Sequence, residues 1–368
     1  MRVLICGGGV IGTSIAYFLS LRGVDVTVIE RAEIACAASG KSGGFLALDW
    51  CDGTPLAPMA RRSFMLHGKL ADDLGNDWGY RRLPTYAGAA SARNDKPQRN
   101  RNALDWLANT VNVGRRLGTQ NTTAQVDPAG FTKSMMRAAE ANGARLIRGT
   151  ANGLLRDSNG RVTGVDVDAN ELDADAVVVA MGPWSILASG WVPLPGVYGL
   201  KGHSIVFDTG NRVSADALFL EYEEADGALL SPEIMPRLGG TTYVCGLRGE
   251  DPLPVDPADV VPDRGAIERL RDMCARLSPV LAEAPILTSQ ACFRPVTEDG
   301  LPLIGAIPDH PGAYVATGHS VWGILNAPAT GEAMAELIVD GKANATDLSR
   351  FSPGRMKAFD ASRLRGGR

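Results

Sequence analysis

The chain has only four histidines, none at a spacing that two ligands of one metal would adopt, so no metal site is expected. Its six cysteines (Cys6, Cys36, Cys51, Cys245, Cys274 and Cys292) are scattered without a CxxC pair. That excludes a zinc module or a disulfide framework and fits a reducing compartment. The cytoplasm is the expected location, with a removed organelle-targeting segment as the alternative. No run of ~18 apolar residues occurs, so no membrane span is expected. The apolar N-terminus is not read as a signal peptide, because Gly7 to Gly12 interrupt it and no cleavage pattern follows. A net charge of −4 gives no support to a nucleic-acid surface. Internal repeats and low-complexity tracts are also missing.

What remains is the composition of a soluble globular protein, 45% hydrophobic and 21% charged. Its 368 residues exceed one ordinary core and suggest about two domains. Forty-three glycines make turns and close backbone approaches frequent.

The glycines are most telling at the start. Arg2 to Cys6 reads as a strand, Gly7-Gly8-Gly9-Val10-Ile11-Gly12 as a turn, and the apolar run beyond it as a helix. A second strand then ends at Glu30. This is a dinucleotide fingerprint in its confirming context. Gly7 permits the turn, Gly9 admits a pyrophosphate, and Gly12 lets helix pack on strand. The helix N-terminus faces the phosphate charge. Glu30 follows Gly12 by 18 residues, near the ~20 expected of the acid that holds a ribose hydroxyl. The motif alone leaves FAD and NAD(P) both open, and an α/β turn that binds nothing is the plain structural alternative.

Further along, Ala35 to Gly44 is a small-residue loop suited to lie against a ligand, with Ser39, Gly40, Lys41, Ser42, Gly43 and Gly44 as candidate contacts. A helix is expected from about Pro58 to Leu74, then a strand over Arg81–Ala92 leading into a polar, basic insertion, Arg93–Arg101. Asp127 and Pro128 start a helix that Gly143 closes. The apolar run Ala174–Ala180, stopping at Met181-Gly-Pro-Trp-Ser185, reads as a buried parallel strand that delivers a turn to the nucleotide. From Lys201 to about Leu287 alternating strands take over, interrupted by a helix over Asp263–Leu277. A last helix is expected over Ala327–Val339.

Three late blocks carry a resemblance: Cys292-Phe-Arg-Pro through Gly305, Ala313-Tyr-Val-Ala-Thr-Gly-His-Ser320, and Gly323-Ile-Leu-Asn-Ala-Pro-Ala-Thr-Gly331. With the N-terminal fingerprint, the Ser39–Gly44 loop and the Gly182-Pro-Trp184 turn, they resemble the FAD-dependent D-amino acid oxidase superfamily across nearly the whole chain. The glycine oxidase and monomeric sarcosine oxidase branches are nearest. The implied fold is α/β: a Rossmann-like FAD-binding domain with an inserted, mainly antiparallel α+β substrate domain. The expected boundaries are 1–80, 123–200 and 286–350 for the FAD-binding domain, 81–122 and 201–285 for the substrate domain, and 351–368 for a C-terminal tail.

The resemblance implies FAD as cofactor, contacted by Gly7, Gly9, Val10, Ile11, Gly12, Glu30, Arg31, the Ser39–Gly44 loop, Ala180, Gly182, Trp184, Cys292, Gly318, His319, Gly323, Ile324 and Leu325. In sarcosine oxidase-like members a cysteine at the place of Cys292 bonds the flavin covalently; a buried free thiol is the other reading. Arg294 corresponds to the arginine that pairs with a substrate carboxylate. Its structural alternative is an ion pair with Glu298 or Asp299. A second arginine that glycine oxidase-like sequences often carry after Gly-His is replaced here by Ser320, Val321 and Trp322. Trp322, Tyr222 and Tyr243 are candidate pocket walls, with core packing as the alternative, and Lys201 is a candidate to face the flavin. His319 is expected to be a structural donor.

The implied chemistry is oxidation of a C–N bond in a small amine or amino acid by hydride transfer to flavin N5, with hydrolysis of the imine. It needs no strong general base. Molecular oxygen or another acceptor reoxidises the flavin. The rivals are a same-fold dehydrogenase with a non-oxygen acceptor, a non-catalytic flavoprotein acting in assembly or sorting, and an NAD(P) enzyme.

Overall fold

The computed structural model describes residues 1–94 and 104–365. Most of the expected basic insertion lies outside them. Six strands form one sheet in the order Leu303–Ala306, Ala313–Thr317, Ala176–Val179, Arg2–Cys6, Asp25–Glu30, Arg145–Arg148. All neighbours run parallel except Leu303–Ala306, which is antiparallel to Ala313–Thr317. Its central strands are buried on both faces, which is why Val3-Leu-Ile-Cys6 and Ala176-Val-Val-Val179 are apolar without alternation. Val3 and Ile5 meet the helices Val10–Ser20, Pro128–Ala141 and Gly323–Asp340. Leu4 and Cys6 meet a core shared with the small antiparallel sheet Ala151–Arg156, Val162–Val167, Asn170–Asp173.

The second body is a larger sheet. Its path is Ile286–Val296, Tyr198–Asp208, Thr241–Arg248, Glu233–Pro236, Ala217–Glu223, Thr85–Ser91, Asn112–Gly118. Pairing is antiparallel except between Ala217–Glu223 and Thr85–Ser91. One face, with Ile205, Leu218, Leu220, Ile234 and Val244, packs on Leu270, Met273 and Leu277 of the helix Ala266–Leu277. The opposite face, with Phe219, Met235, Tyr243 and Cys245, turns toward the parallel-sheet half.

Two segments fall differently from the sequence reading. Ile286–Val296, grouped by sequence with the nucleotide half, pairs along its length with Tyr198–Asp208 in the large sheet. The last helix begins at Gly323 rather than Ala327 and carries Pro328 inside it. A third small sheet, Phe45–Ala47, Thr123–Gln125 and Arg81–Arg82, joins the halves. Among the described residues, no helix is long and apolar enough to cross a membrane, and all six cysteines are free thiols.

Candidate functional site

The two bodies enclose a cavity of about 470 Å³. At its base lies the first turn. Gly7 adopts φ +117°, and a Cβ there would sit 2.4 Å from the Ala180 carbonyl oxygen. A Cβ on Gly12 would sit 2.0 Å from the Gly7 carbonyl oxygen, so a glycine is needed for this helix to pack on its strand. Glu30 ends the second strand and binds the turn back: it accepts the Gly8 N–H at 2.6 Å and the Ala32 N–H at 2.7 Å. The Ala35–Gly44 loop covers the helix start, where Ser39 Oγ accepts the Val10 N–H at 2.9 Å.

At the other end, Gly318 and a turn through His319 and Ser320 feed the helix Gly323–Asp340 into the cavity wall. Its first turn has no side-chain cap and no acidic residue. Its free N–H groups and positive dipole end therefore suit an electron-rich ligand edge. His319 Nε2 lies 3.1 Å from Thr330 Oγ1, and burial drives the imidazole pKa down to about 3. His319 is thus neutral and no base in the ordinary pH range. Among the described residues, Ser42 Oγ and His319 Nδ1 are buried without a hydrogen-bond partner.

Above this floor, alternation on the large sheet decides which side chains face inward. Gly202, Cys292 and Arg294 do so from neighbouring strands, as do Glu233, Tyr243, Cys245 and Phe219. Phe219, Phe45 and Trp50 stack as a triad with ring centroids 4.9 Å apart. Among the described residues the Arg294 guanidinium makes no hydrogen bond or ion pair to the protein; Glu298 instead accepts from Tyr198 Oη, and Asp299 pairs with Arg355. Burial raises the Cys292 thiol pKa, opposed by the charges of Arg294 and Lys41.

Of the site residues expected from sequence, Gly7, Gly9, Val10, Ile11, Glu30, Arg31, Ser39, Ser42, Gly43 and Gly44 line the cavity. So do Ala180, Gly182, Trp184, Cys292, Arg294, His319, Trp322, Gly323, Ile324 and Tyr243. Gly12, Gly40, Lys41, Gly318 and Leu325 do not line it, though each adjoins a lining residue in sequence. Leu325 is buried in the helical core, and the Lys41 carbonyl accepts from Gln290 Nε2 at 3.2 Å.

Tyr222 and Lys201 are placed elsewhere. Tyr222 shares a strand with Phe219 but has the opposite parity, so it points with Leu218 and Leu220 into the far core. Lys201 is buried between Asp251, at 2.7 Å, and Asp263. Burial alone would lower its pKa, but the two carboxylates hold it above the ordinary lysine value.

Sequence reasoning did not single out Glu233, Phe219, Trp50, Cys245 or Arg237. Glu233 carried one usable signal, an acid alternating with buried Ile234 in a short apolar strand. Arg237 carried none: it donates to the Ser42 carbonyl at 2.7 Å across nearly two hundred residues and lies 5.2 Å from the Tyr243 ring centroid.

A glycine turn under a parallel sheet, opposed by an antiparallel wall bearing an arginine without a partner among the described residues, is the arrangement of a dinucleotide-dependent oxidoreductase. The comparisons agree. The profile described as FAD dependent oxidoreductase matches residues 2–337. The chain is 31% identical to C1F5.03c of Schizosaccharomyces pombe (strain 972), named as an oxidoreductase, over 96% of this chain and 97% of that one. It is 29% identical to the glycine oxidase of Geobacillus kaustophilus (strain HTA426), over 95% and 96%. The solved structure of glycine oxidase from Bacillus cereus ATCC 14579 superposes with a TM-score of 0.77 at 26% identity, covering 93% of this chain and 98% of that one. The chain belongs to the FAD dependent oxidoreductase family, and it is an FAD-dependent enzyme.

The residues present fit that cofactor: a glycine turn opening the first helix, an uncapped helix start at Gly323, an acid at the second strand tip, and Ser42 and His319 atoms without a partner among the described residues, all on one continuous wall.

Proposed function

We propose that this enzyme oxidises the carbon–nitrogen bond of a small amino acid. The observation that carries the reading is Arg294, a cavity-wall guanidinium with no protein partner among the described residues. A cation left unpaired on a partly desolvated wall is costly unless a ligand anion completes it, and a planar fork matches a carboxylate. The relatives named as glycine oxidases support the same substrate class.

Bound FAD would supply the hydride acceptor, leaving a substrate imine that water hydrolyses. The protein's own part is to position and to tune. Arg294 fixes the carboxylate, and the aromatic wall of Trp322, Tyr243 and Phe219 excludes water. The open first turn at Gly323 stabilises negative charge that develops at the adjoining ligand edge. Of the titratable groups on this wall, His319 is neutral and hydrogen-bonded to Thr330, so it takes no proton from substrate. Cys292, two residues from Arg294 on the same wall, supports a thioether to the flavin as the covalent form of this reading. Acid precipitation reads that point directly: colour in the pellet for a covalent flavin, in the supernatant for a dissociable one. Oxygen is the proposed acceptor, read as peroxide formed per substrate consumed.

Anaerobic titration with a panel of amino acids should bleach the flavin absorbance. In Arg294→Ala the flavin should stay bound while KM rises at least tenfold, since losing a desolvated charge partner costs on the order of 2–5 kcal/mol. An Arg294→Ala enzyme with wild-type KM overturns the assignment.

A further inference from the structure

Arg294 is not the only charged side chain on the cavity's antiparallel wall. Glu233 stands there too, in register with Cys245 on one side and Phe219 on the other. Alternation fixes its direction: Ile234, the next residue, is fully buried in the far core, so Glu233 shares the inward face with Met235, Tyr243 and Cys245. Among the described residues no lysine or arginine forms an ion pair with it, and the Cys245 thiol is its neighbour across the strand pair.

A carboxylate in such a place is unfavourable by itself. It has left bulk water for a wall of Phe219, Tyr243 and Cys245, and no cation of the protein completes it. Burial raises its pKa, and the charge of Arg294 pulls the other way. The two groups are thus near enough to sense each other yet do not join in an ion pair. The cavity therefore presents one unpaired anion and one unpaired cation to the same enclosed volume. A ligand with a single charge would satisfy one and strand the other. A zwitterion satisfies both.

We propose that Glu233 binds the substrate's ammonium group and takes its extra proton, so that this enzyme selects zwitterionic amino acids held between Glu233 and Arg294. The inference rests on the amino acid reading above and deepens it. In the transfer one N–H bond of the ammonium breaks, its electron pair stays on nitrogen, and an O–H bond forms on Glu233. Charge is conserved, and no oxidant or reductant takes part. The nitrogen lone pair that C–N oxidation requires is thereby freed. The raised carboxyl pKa narrows the gap to the ammonium and makes the transfer easier. Glu233 is then a catalytic residue, because it touches the substrate nitrogen.

The test uses the FAD-loaded enzyme and its Glu233→Gln variant, an isosteric change that keeps the strand's hydrogen bonding. Perturbation of the flavin spectrum reports binding without turnover. The wild type should bind trimethylglycine, a zwitterion with no proton to give, at least tenfold more tightly than acetate. Glu233→Gln should bind the two about equally. In anaerobic reduction by glycine or sarcosine, the variant's pH profile should move alkaline, toward the amine's own pKa. Equal preference for trimethylglycine over acetate in both proteins, or an unchanged pH profile, overturns the proposal. Because the binding test needs no oxidation, it still decides the role of Glu233 if no amino acid reduces the flavin, an outcome that would sink the amino acid oxidation reading instead.

Discussion

The Nε2 nitrogen of His67 lies 2.9 Å from the carbonyl oxygen of Ile324, the helical acceptor that Pro328 leaves without a donor. Four residues separate Ile324 from Pro328, and proline has no N–H to return. His67 also reaches the Leu325 carbonyl at 3.2 Å, while the Ala329 N–H turns aside to Ser63 Oγ at 3.0 Å. Carbonyls only accept, so Nε2 carries the proton in this tautomer. The helix Ala57–Leu74 thus repairs, from outside, the break that Pro328 makes in the first turns of the cavity helix.

Removing that repair should weaken the site before the fold. His67→Ala leaves two buried carbonyls without a donor, at about 1–3 kcal/mol for each unsatisfied group. A thermal melt should show a clear fall in Tm, and FAD should dissociate more readily because Ile324 stands on the cavity wall. An unchanged Tm would mean that water replaces the imidazole at no cost.

The same histidine predicts acid lability. Burial lowers its pKa to about 4, against an ordinary 6.5. Between those values the unfolded chain binds the proton that the folded chain refuses, so stability rises with pH through this window. The contribution is complete above pH 6.5 and lost as pH falls toward 4, with a span on the order of 3 kcal/mol. His319, lowered to about 3, adds in the same direction. His67→Gln keeps a donor without titrating, so its unfolding free energy should vary less between pH 6.5 and 4 than that of the wild type.

Lys201 gives the opposite test at the alkaline end. Its side chain is 3% exposed, and it ties Asp263 and Asp251 to the large sheet. Its folded pKa lies above the ordinary value, so its contribution is full below that value and disappears as pH rises through the folded one. Lys201→Met should destabilise by up to about 3–5 kcal/mol, less to the extent that half-exposed Asp251 is rehydrated. Flavin reduction per folded molecule should be preserved, since Lys201 does not line the cavity. A selective loss of the reduction rate in a well-folded variant would return Lys201 to the chemistry.

Legibility followed range. The Gly7–Gly12 turn, Glu30 and the parallel strands were readable because their logic is local: a fixed spacing, a φ that only glycine adopts readily, apolar runs without alternation. The Asp127 cap was readable for the same reason, and its side chain does accept from the Gly130 N–H. The sequence places the start of the last helix at Ala327, yet it begins a turn earlier, at Gly323, and carries Pro328 inside it, because His67 and Ser63 supply what the chain nearby cannot. Tyr222 and Phe219 differ only in parity, and nothing in Leu218-Phe-Leu-Glu-Tyr222 says which face meets the cavity. The pairing of Glu233 with Cys245 and Phe219 settles that, and such pairing is a property of the assembled sheet.

Glu30 separates two roles that one residue can hold. Its carboxylate binds the Gly8 and Ala32 N–H groups, which shapes the turn, and it also stands on the cavity wall, where a ribose hydroxyl is its proposed partner. Glu30→Gln keeps the length but puts an NH₂ where one backbone N–H needs an acceptor, and it removes the charge that strengthens both bonds. Losing a hydrogen bond to a charged group costs about 1.5–3 kcal/mol, so the FAD dissociation constant should rise roughly 10- to 100-fold. Apoprotein Tm and FAD affinity, measured on the same variant, tell the roles apart. If Tm falls while the affinity of refolded protein is unchanged, Glu30 serves the turn alone. If affinity falls with Tm preserved, it serves the ribose alone. A fall in both, with the loss of affinity persisting at temperatures where the apoprotein is fully folded, is the expected result, because both N–H bonds and the cavity exposure belong to one carboxylate.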